Sequence, residues 1–167
     1  MPNNITNELQ AAPEVMRGIC DVLWAPDRKV DFNRLITMPA HEPGAFLAEG
    51  SLSSDDIRSH PGSNWLEWSR ENWGTKWNAY CIEEIGEEGS RASETVLRFE
   101  TAWNCPEPII RALALRVPDQ WTWSYADEDI GHNLGIWACS SSGTLTLREP
   151  TGDLDAWARA LKGWEDE

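Results

Sequence analysis

The chain has 167 residues, with 28 Asp and Glu against 14 Lys and Arg, a net charge of -14 and a pI near 4.5. The length suits one domain, read as residues 1–167, with a core that needs no metal or disulfide staple. The charge argues against nucleic acid as a direct ligand and against an anionic membrane surface, both of which call for a basic footprint.

Taken in chain order, Ile5 to Gln10 predicts a short strand. Pro13 and Glu14 open a helix whose Val15, Ile19, Val22 and Leu23 recur on one face until Ala25-Pro26-Asp27 stops it. Val30 to Met38 is rich enough in β-branched and aromatic residues for a second strand, ended by Pro39. Residues 40–64 carry Pro43, Gly44, Gly50, Pro61 and Gly62 and read as an insertion loop, with Ser54 able to cap a short helical turn. A short helix begins at Trp65 and is broken at Gly74. Ala79 to Ile85 and Thr95 to Thr101 are strand-like and joined by the turn Gly86-Glu87-Glu88-Gly89-Ser90, predicting a hairpin. Asn104 and Glu107 have the spacing of a capping box for a helix that presents Ile109, Ile110, Leu113 and Val117. Trp121, Trp123 and Tyr125 alternate with Thr122, Ser124 and Ala126, the cleanest period-2 strand in the chain. Leu134 to Ser140 and Thr144 to Glu149 form a last hairpin through Ser142-Gly143. Thr151 or Asp153 then caps a helix, about 153–165, striped by Leu154, Trp157, Leu161 and Trp164. Helices that follow strands, with hairpins between strands, predict an α+β class. The expected fold is a ferredoxin-like (split βαβ) antiparallel sheet with helices on one face, plus the insertion and the added C-terminal hairpin and helix.

One string is more specific than any composition: Glu71-Asn72-Trp73-Gly74-Thr75-Lys76-Trp77-Asn78. Phe99-Glu100-Thr101-Ala102-Trp103, Cys105-Pro106-Glu107-Pro108 and Tyr125 with Asp127-Glu128 follow it, and Pro2, Asn3, Asn7, Phe32-Asn33 and Met38-Pro39 precede it. Together, in order from Pro2 to about Gly135, these residues resemble the YubB-like family of phage and conjugative-plasmid proteins. The resemblance implies a ferredoxin-like domain and a mobile-element accessory role in the cytoplasm of a host bacterium. It carries no catalytic residues with it, and it does not reach residues 40–64 or the helix after Asp153. Within the motif, Gly74 permits a turn or a close backbone approach. Trp73, Thr75, Trp77 and Trp103 read as structural, and Lys76 has its stem or ammonium against an indole ring.

Chemistry is hard to find. His41, His60 and His132 are scattered, no serine sits in a nucleophile elbow, and no glycine-rich phosphate loop is present. Cys20, Cys81, Cys105 and Cys139 lack the close pairing of zinc ligands. With no secretory signal or membrane-length apolar run, they read as reduced thiols. Asp127-Glu128-Asp129 lacks the spacing of a calcium loop. The expectation is therefore no catalytic residue, no metal and no cofactor. The 11 Trp, against 3 Phe and 2 Tyr, favour a tryptophan-built core over a tryptophan-coated binding face.

What remains is the acid itself. Glu83, Glu84, Glu87 and Glu88 gather at one turn, Asp127, Glu128 and Asp129 at a strand end, and Glu165-Asp166-Glu167 at the terminus. Carboxylates on a rigid face can imitate the charge track of a DNA backbone, whereas the same residues in an ordinary surface only confer solubility. The expectation drawn is a non-enzymatic protein that binds a host protein or nucleic-acid-handling complex with a basic surface, as an anti-restriction or anti-CRISPR inhibitor. A small nucleotide- or metal-dependent enzyme, and a homodimer joined through the C-terminal helix, are the rival readings.

Overall fold

The computed structural model describes residues 2–42, 45–47 and 54–164. Among them, strands β1 (Asn4–Ala11), β2 (Val96–Ala102), β3 (Trp121–Asp127), β4 (Leu134–Cys139) and β5 (Leu145–Arg148) form one antiparallel sheet in the order β2-β1-β3-β4-β5. The helices are α1 (Pro13–Leu23), α2 (Ser54–Ser59), α3 (Trp65–Asn72), α4 (Glu107–Arg116) and α5 (Leu154–Lys162), with a single 3-10 turn at Phe32–Arg34. Strand β1 pairs with β2 on one side and β3 on the other across its whole length. Both neighbours run antiparallel to it and therefore parallel to each other, so β2-α4-β3 is a βαβ unit split by the strand that comes first in the chain.

Alternation assigns the two faces of the sheet. One face carries Ile5, Asn7 and Leu9 from β1, Leu97 and Phe99 from β2, and Trp121, Trp123 and Tyr125 from β3, all buried. Helix α1 covers it with Met16, Ile19 and Leu23, and α4 covers it with Ile109, Ile110, Leu113 and Ala114. Phe99 meets Trp123 edge to face at 5.5 Å, and Phe32 extends the aromatic cluster from the 3-10 turn at 6.1 Å from Phe99. The one wholly buried amide on this face, Asn7, is fully used. Its Nδ2 donates to Thr101 Oγ1 at 2.9 Å and to the Ile5 carbonyl at 3.1 Å, and its Oδ1 accepts from Trp123 Nε1 at 2.9 Å.

The opposite face carries Thr6, Glu8, Arg98, Glu100, Ser124 and Ala126, and α5 lies across it with Ala158 and Leu161 against Ala126. Asp153 caps this helix, accepting from the amides of Asp155 and Ala156, and Gly163 ends it in the left-handed conformation at φ 75°. Two carbonyls of its last turn are met by arginines, as the helix dipole favours. Arg91 donates to the Ala160 carbonyl at 2.5 Å, Arg98 donates to the Leu161 carbonyl at 2.8 Å, and Lys162 Nζ donates to Thr6 Oγ1 at 2.9 Å. Arg98 is 4% exposed and is also ion-paired to both Glu8 and Glu83, which together satisfy its guanidinium.

Three expectations are corrected. Val30 to Met38 is not a strand, because side chains take its backbone groups before a ladder can form. Asp31 Oδ1 accepts from Asn33 N at 3.0 Å, Asn78 Oδ1 accepts from Phe32 N at 3.0 Å, and Asn33 Oδ1 accepts from Met38 N at 2.9 Å. Ala79 to Ile85 follows the outer edge of β2 through a Tyr80–Glu100 bridge and a bond from Glu83 N to the Arg98 carbonyl, but Cys81 at φ 47° interrupts the ladder, so no regular hairpin forms. Asn104 does not cap α4. Its Oδ1 accepts from Asn133 instead, and the helix starts behind Pro106 without a side-chain cap. Within the insertion, Ser54–Ser59 is helical, while residues 43–44 and 48–53 lie outside the described residues.

Replacing Asn7 by Ala leaves Trp123 Nε1 unpaired in the core and opens a small void, and is expected to lower stability by about 3 kcal/mol in urea unfolding. A change below about 0.5 kcal/mol would mean that the amide is not the pivot of this face. Burial also pushes Tyr80 and Tyr125 up to about 12, Cys20 to about 11 and Cys105 to about 12, and raises Cys81 and Cys139. Values raised in the folded state give stability that is complete below the unfolded pKa and lost as pH climbs, here between about 9 and 12. In an alkaline titration both tyrosinate signals should therefore lag the usual midpoint of about 10 and rise toward about 12. Tyrosinate forming at the usual midpoint in a chain that is still folded would contradict this.

Candidate interaction surface

The acidic residues singled out in the sequence divide into structural ties and free surface. Glu83 is ion-paired to the buried Arg98 and accepts from Arg91 N at 3.0 Å. Asp127 is 6% exposed and accepts from Asn3 Nδ2 at 3.1 Å, Asn133 Nδ2 at 3.1 Å and Asp129 N at 2.9 Å. Both carboxylates are therefore engaged in contacts within the chain. Glu84, Glu87, Glu88, Glu128 and Asp129 are exposed, Glu84 with Lys29 at 3.0 Å and Asp129 with His132 at 3.6 Å. The two groups occupy different places: Glu83 to Glu88 runs beside β2, and Asp127 to Asp129 closes the end of β3 where it pairs with Ile5. Glu165-Asp166-Glu167 lies outside the described residues.

The tryptophan motif forms the corner between α3 and the segment that leads to β2. Asn64 caps α3 by accepting from Glu67 N, and Trp73 ends the helix, 2% exposed, with its Nε1 donating to the Ile36 carbonyl at 2.8 Å. Its ring stands edge-on to Trp68 at 5.2 Å and Phe32 at 5.9 Å. Gly74 turns the chain at φ +79°, where a Cβ would stand 2.9 Å from Pro108 Cδ. The buried Thr75 donates from Oγ1 to the Trp77 carbonyl at 2.5 Å. Lys76 places its ammonium 4.6 Å from the Trp77 ring centre and 5.1 Å from that of Trp103, and Arg70 lies 5.2 Å from the latter. Trp103, at φ 76°, is held there by its own N–H on the Asn3 carbonyl at 2.9 Å and by Asn133 Nδ2 on its carbonyl at 3.2 Å. These contacts tie the motif to the N-terminal segment and to α4.

A feature that sequence reasoning missed lies between α1 and residues 83–97, a groove of about 880 Å³. Met16, Cys20, Val96 and Leu97 are among its lining residues, together with Trp24 and Ile85, which are 41% and 59% exposed. Glu14, Asp21, Glu83 and Glu94 stand around it, with Arg17 and Lys29 as its cations. The signal available in the sequence was a tryptophan just beyond a helix end and a lone isoleucine inside an acidic run, but nothing local says that the two share a groove.

Among the described residues no group of three or more His, Cys, Asp or Glu is arranged to hold a metal ion, and no helix is long and apolar enough to cross a membrane. The apolar stripe of α5 is turned onto the sheet through Ala158 and Leu161, leaving Trp164 46% exposed beyond it.

Replacing Gly74 by Ala combines a disfavoured positive φ with a clash against Pro108, and should lower stability by about 2 kcal/mol. A thermal midpoint unchanged from the parent would show that the corner relaxes freely.

No curated protein and no solved structure matches the chain. Residues 73–161, from the tryptophan corner through the split unit to α5, match the family model described as a ferredoxin-like domain in Api92-like protein. That span is more than half of the 167 residues and carries β2, α4, β3, β4, β5 and most of α5: the chain belongs to the family of the ferredoxin-like domain in Api92-like proteins.

Proposed function

We propose that the protein is a non-enzymatic accessory protein that acts by binding, engaging a partner with a basic surface through the carboxylates beside β2. The observation that carries this reading is the exposed set Glu84, Glu87, Glu88 and Glu94 along one segment of a chain whose net charge is -14. A row of fixed carboxylates meets the same Lys and Arg side chains that would otherwise contact phosphates, and the long-range field of the molecule accelerates the encounter. Retaining Glu83 and Asp127 for internal contacts narrows the surface to this segment, with Glu128 and Asp129 as a separate exposed pair.

The resemblance of the Trp73–Trp77 motif and its flanking residues to the YubB-like family supports a finer reading. In that reading the protein belongs to a phage or conjugative plasmid, works in the cytoplasm of the host bacterium, and inhibits a nucleic-acid-handling defence complex of the restriction or CRISPR type. Occupying a basic groove needs no catalytic group and is reversed by salt or by competing DNA.

The test is affinity capture from lysate of a bacterium with active defence systems, with the triple variant Glu84→Lys, Glu87→Lys, Glu88→Lys beside a control of equal charge change, Glu71→Lys, Asp119→Lys, Glu149→Lys. A stoichiometric nucleic-acid-binding complex should be retained by the parent and the control, released by duplex DNA, and held at least about tenfold more weakly by the triple variant. Equal loss in both variants would reduce the acidity to a nonspecific charge effect. Equal retention in both would remove electrostatics from the mechanism.

A further inference from the structure

We propose that the groove between α1 and residues 83–97 is a docking site for an amphipathic helix of a protein partner, with apolar anchors along one side and Lys or Arg on its flanks. This rests on the reading of the protein as an acidic binding module and specifies where the partner's apolar contacts fall.

Three observations converge on the groove. The first is Gly18, in the middle of α1 and on the lining of the groove. Glycine inside a helix costs about 1 kcal/mol relative to alanine. A glycine kept for internal packing has neighbours that a Cβ would strike, as Gly74 has Pro108. A Cβ added at Gly18 meets nothing within 4 Å. Nothing in the fold therefore requires the missing side chain, whereas a partner helix crossing α1 closely at this point would require it. The second is apolar surface. Trp24 at the end of α1 and Ile85 on the facing segment are exposed large hydrophobic side chains that line one groove, an arrangement that marks a contact site rather than scattered surface. The third is charge. Glu14, Asp21 and Glu94 line the groove against Arg17 and Lys29, Lys29 is already paired with Glu84, and Glu83, also on the lining, is held by Arg98. The excess of carboxylate suits basic flanks on the partner.

The backbone indicates that the occupant is a helix and not an added strand. Strand addition needs free N–H and C=O groups on a sheet edge. The outer edge of β2 is already used by its own chain: Ser93 exchanges bonds with Val96, Tyr80 exchanges bonds with Glu100, and Glu83 N donates to the Arg98 carbonyl. A helix satisfies its own backbone and offers side chains at i, i+3, i+4 and i+7, which is what an apolar trough with a glycine in its wall can receive.

The probe is a synthetic peptide of about 18 residues, or five helical turns, with Leu on one face and Lys elsewhere, beside a peptide of the same composition scrambled to remove the face. Binding to the full chain is measured by calorimetry and mapped by amide chemical shifts. The amphipathic peptide should bind at least about tenfold more tightly than the scrambled one, with shifts confined to residues 13–24 and 83–97. Gly18→Leu should lower its affinity by at least about tenfold while leaving the thermal midpoint equal to or above the parent's, since leucine is the better helix former. Trp24→Ala should weaken binding in the same direction. Equal binding of both peptides, insensitive to Gly18→Leu, would overturn the groove and leave the acidic surface as the sole contact. Binding of neither would overturn both readings.

Discussion

A strand in the interior of a sheet must satisfy backbone groups on both of its edges, and here that strand is the first one in the chain. β1 pairs with β2 from Asn4 to Gln10 and with β3 from Ile5 to Ala11, holding together two strands that α4 joins but that do not touch. The residues matched by the family model begin at Trp73, so the domain they describe has a gap at its centre that only residues 4–11 fill. Asn7 secures the placement. A buried amide that donates to the Ile5 carbonyl and Thr101 Oγ1 and accepts from Trp123 Nε1 fixes the register of three strands at once, because a one-residue slip would bring the amide to the other face.

The second face depends on Arg98 in a comparable way. Its guanidinium holds Glu8 of the central strand, Glu83 of the segment outside β2 and the Leu161 carbonyl at the end of α5, so three distant parts of the chain meet on one buried cation. Removing one partner of such an arrangement leaves a buried charge without compensation, which is why its cost exceeds that of any surface pair. The large negative charge of the chain is thus of two kinds. Glu8, Glu83 and Asp127 organise the fold from within, while Glu84, Glu87, Glu88 and Glu94 face outward on the segment that borders the groove beneath Trp24 and Ile85.

Much of the architecture was legible because it is written in short-range physics. Pro13 at a helix start, Asp153 as a cap, and the alternation from Trp121 to Tyr125 each act over a few residues, and each stands where the pattern puts it. Two readings failed where a residue's partner lies far away. Val30 to Met38 has strand composition, but Asn78, more than forty positions away, donates to the Asp31 carboxylate and accepts from Phe32 N, a donor that a ladder would use. Asn104 has the right spacing for a capping box, yet Asn133 claims its oxygen. The tryptophans of the corner were legible as a motif, but their role as a joint between the N-terminal segment, α3 and α4 was not, since Asn3, Ile36 and Pro108 supply the other half of each contact.

The sequence by itself determined an acidic α+β chain, the positions of most helices and strands, and the presence of an unusual tryptophan corner, because composition, periodicity and capping are local and additive. Tertiary structure alone decided which carboxylates are free. Glu83 and Glu84 are adjacent in the chain and chemically alike, but one is turned to the buried Arg98 and the other to exposed Lys29. It also decided that Gly18, Trp24 and Ile85 share a single groove. Burial and juxtaposition depend on how distant segments are brought together, and the sheet order that brings them together places the first strand between two that follow it by some ninety residues or more.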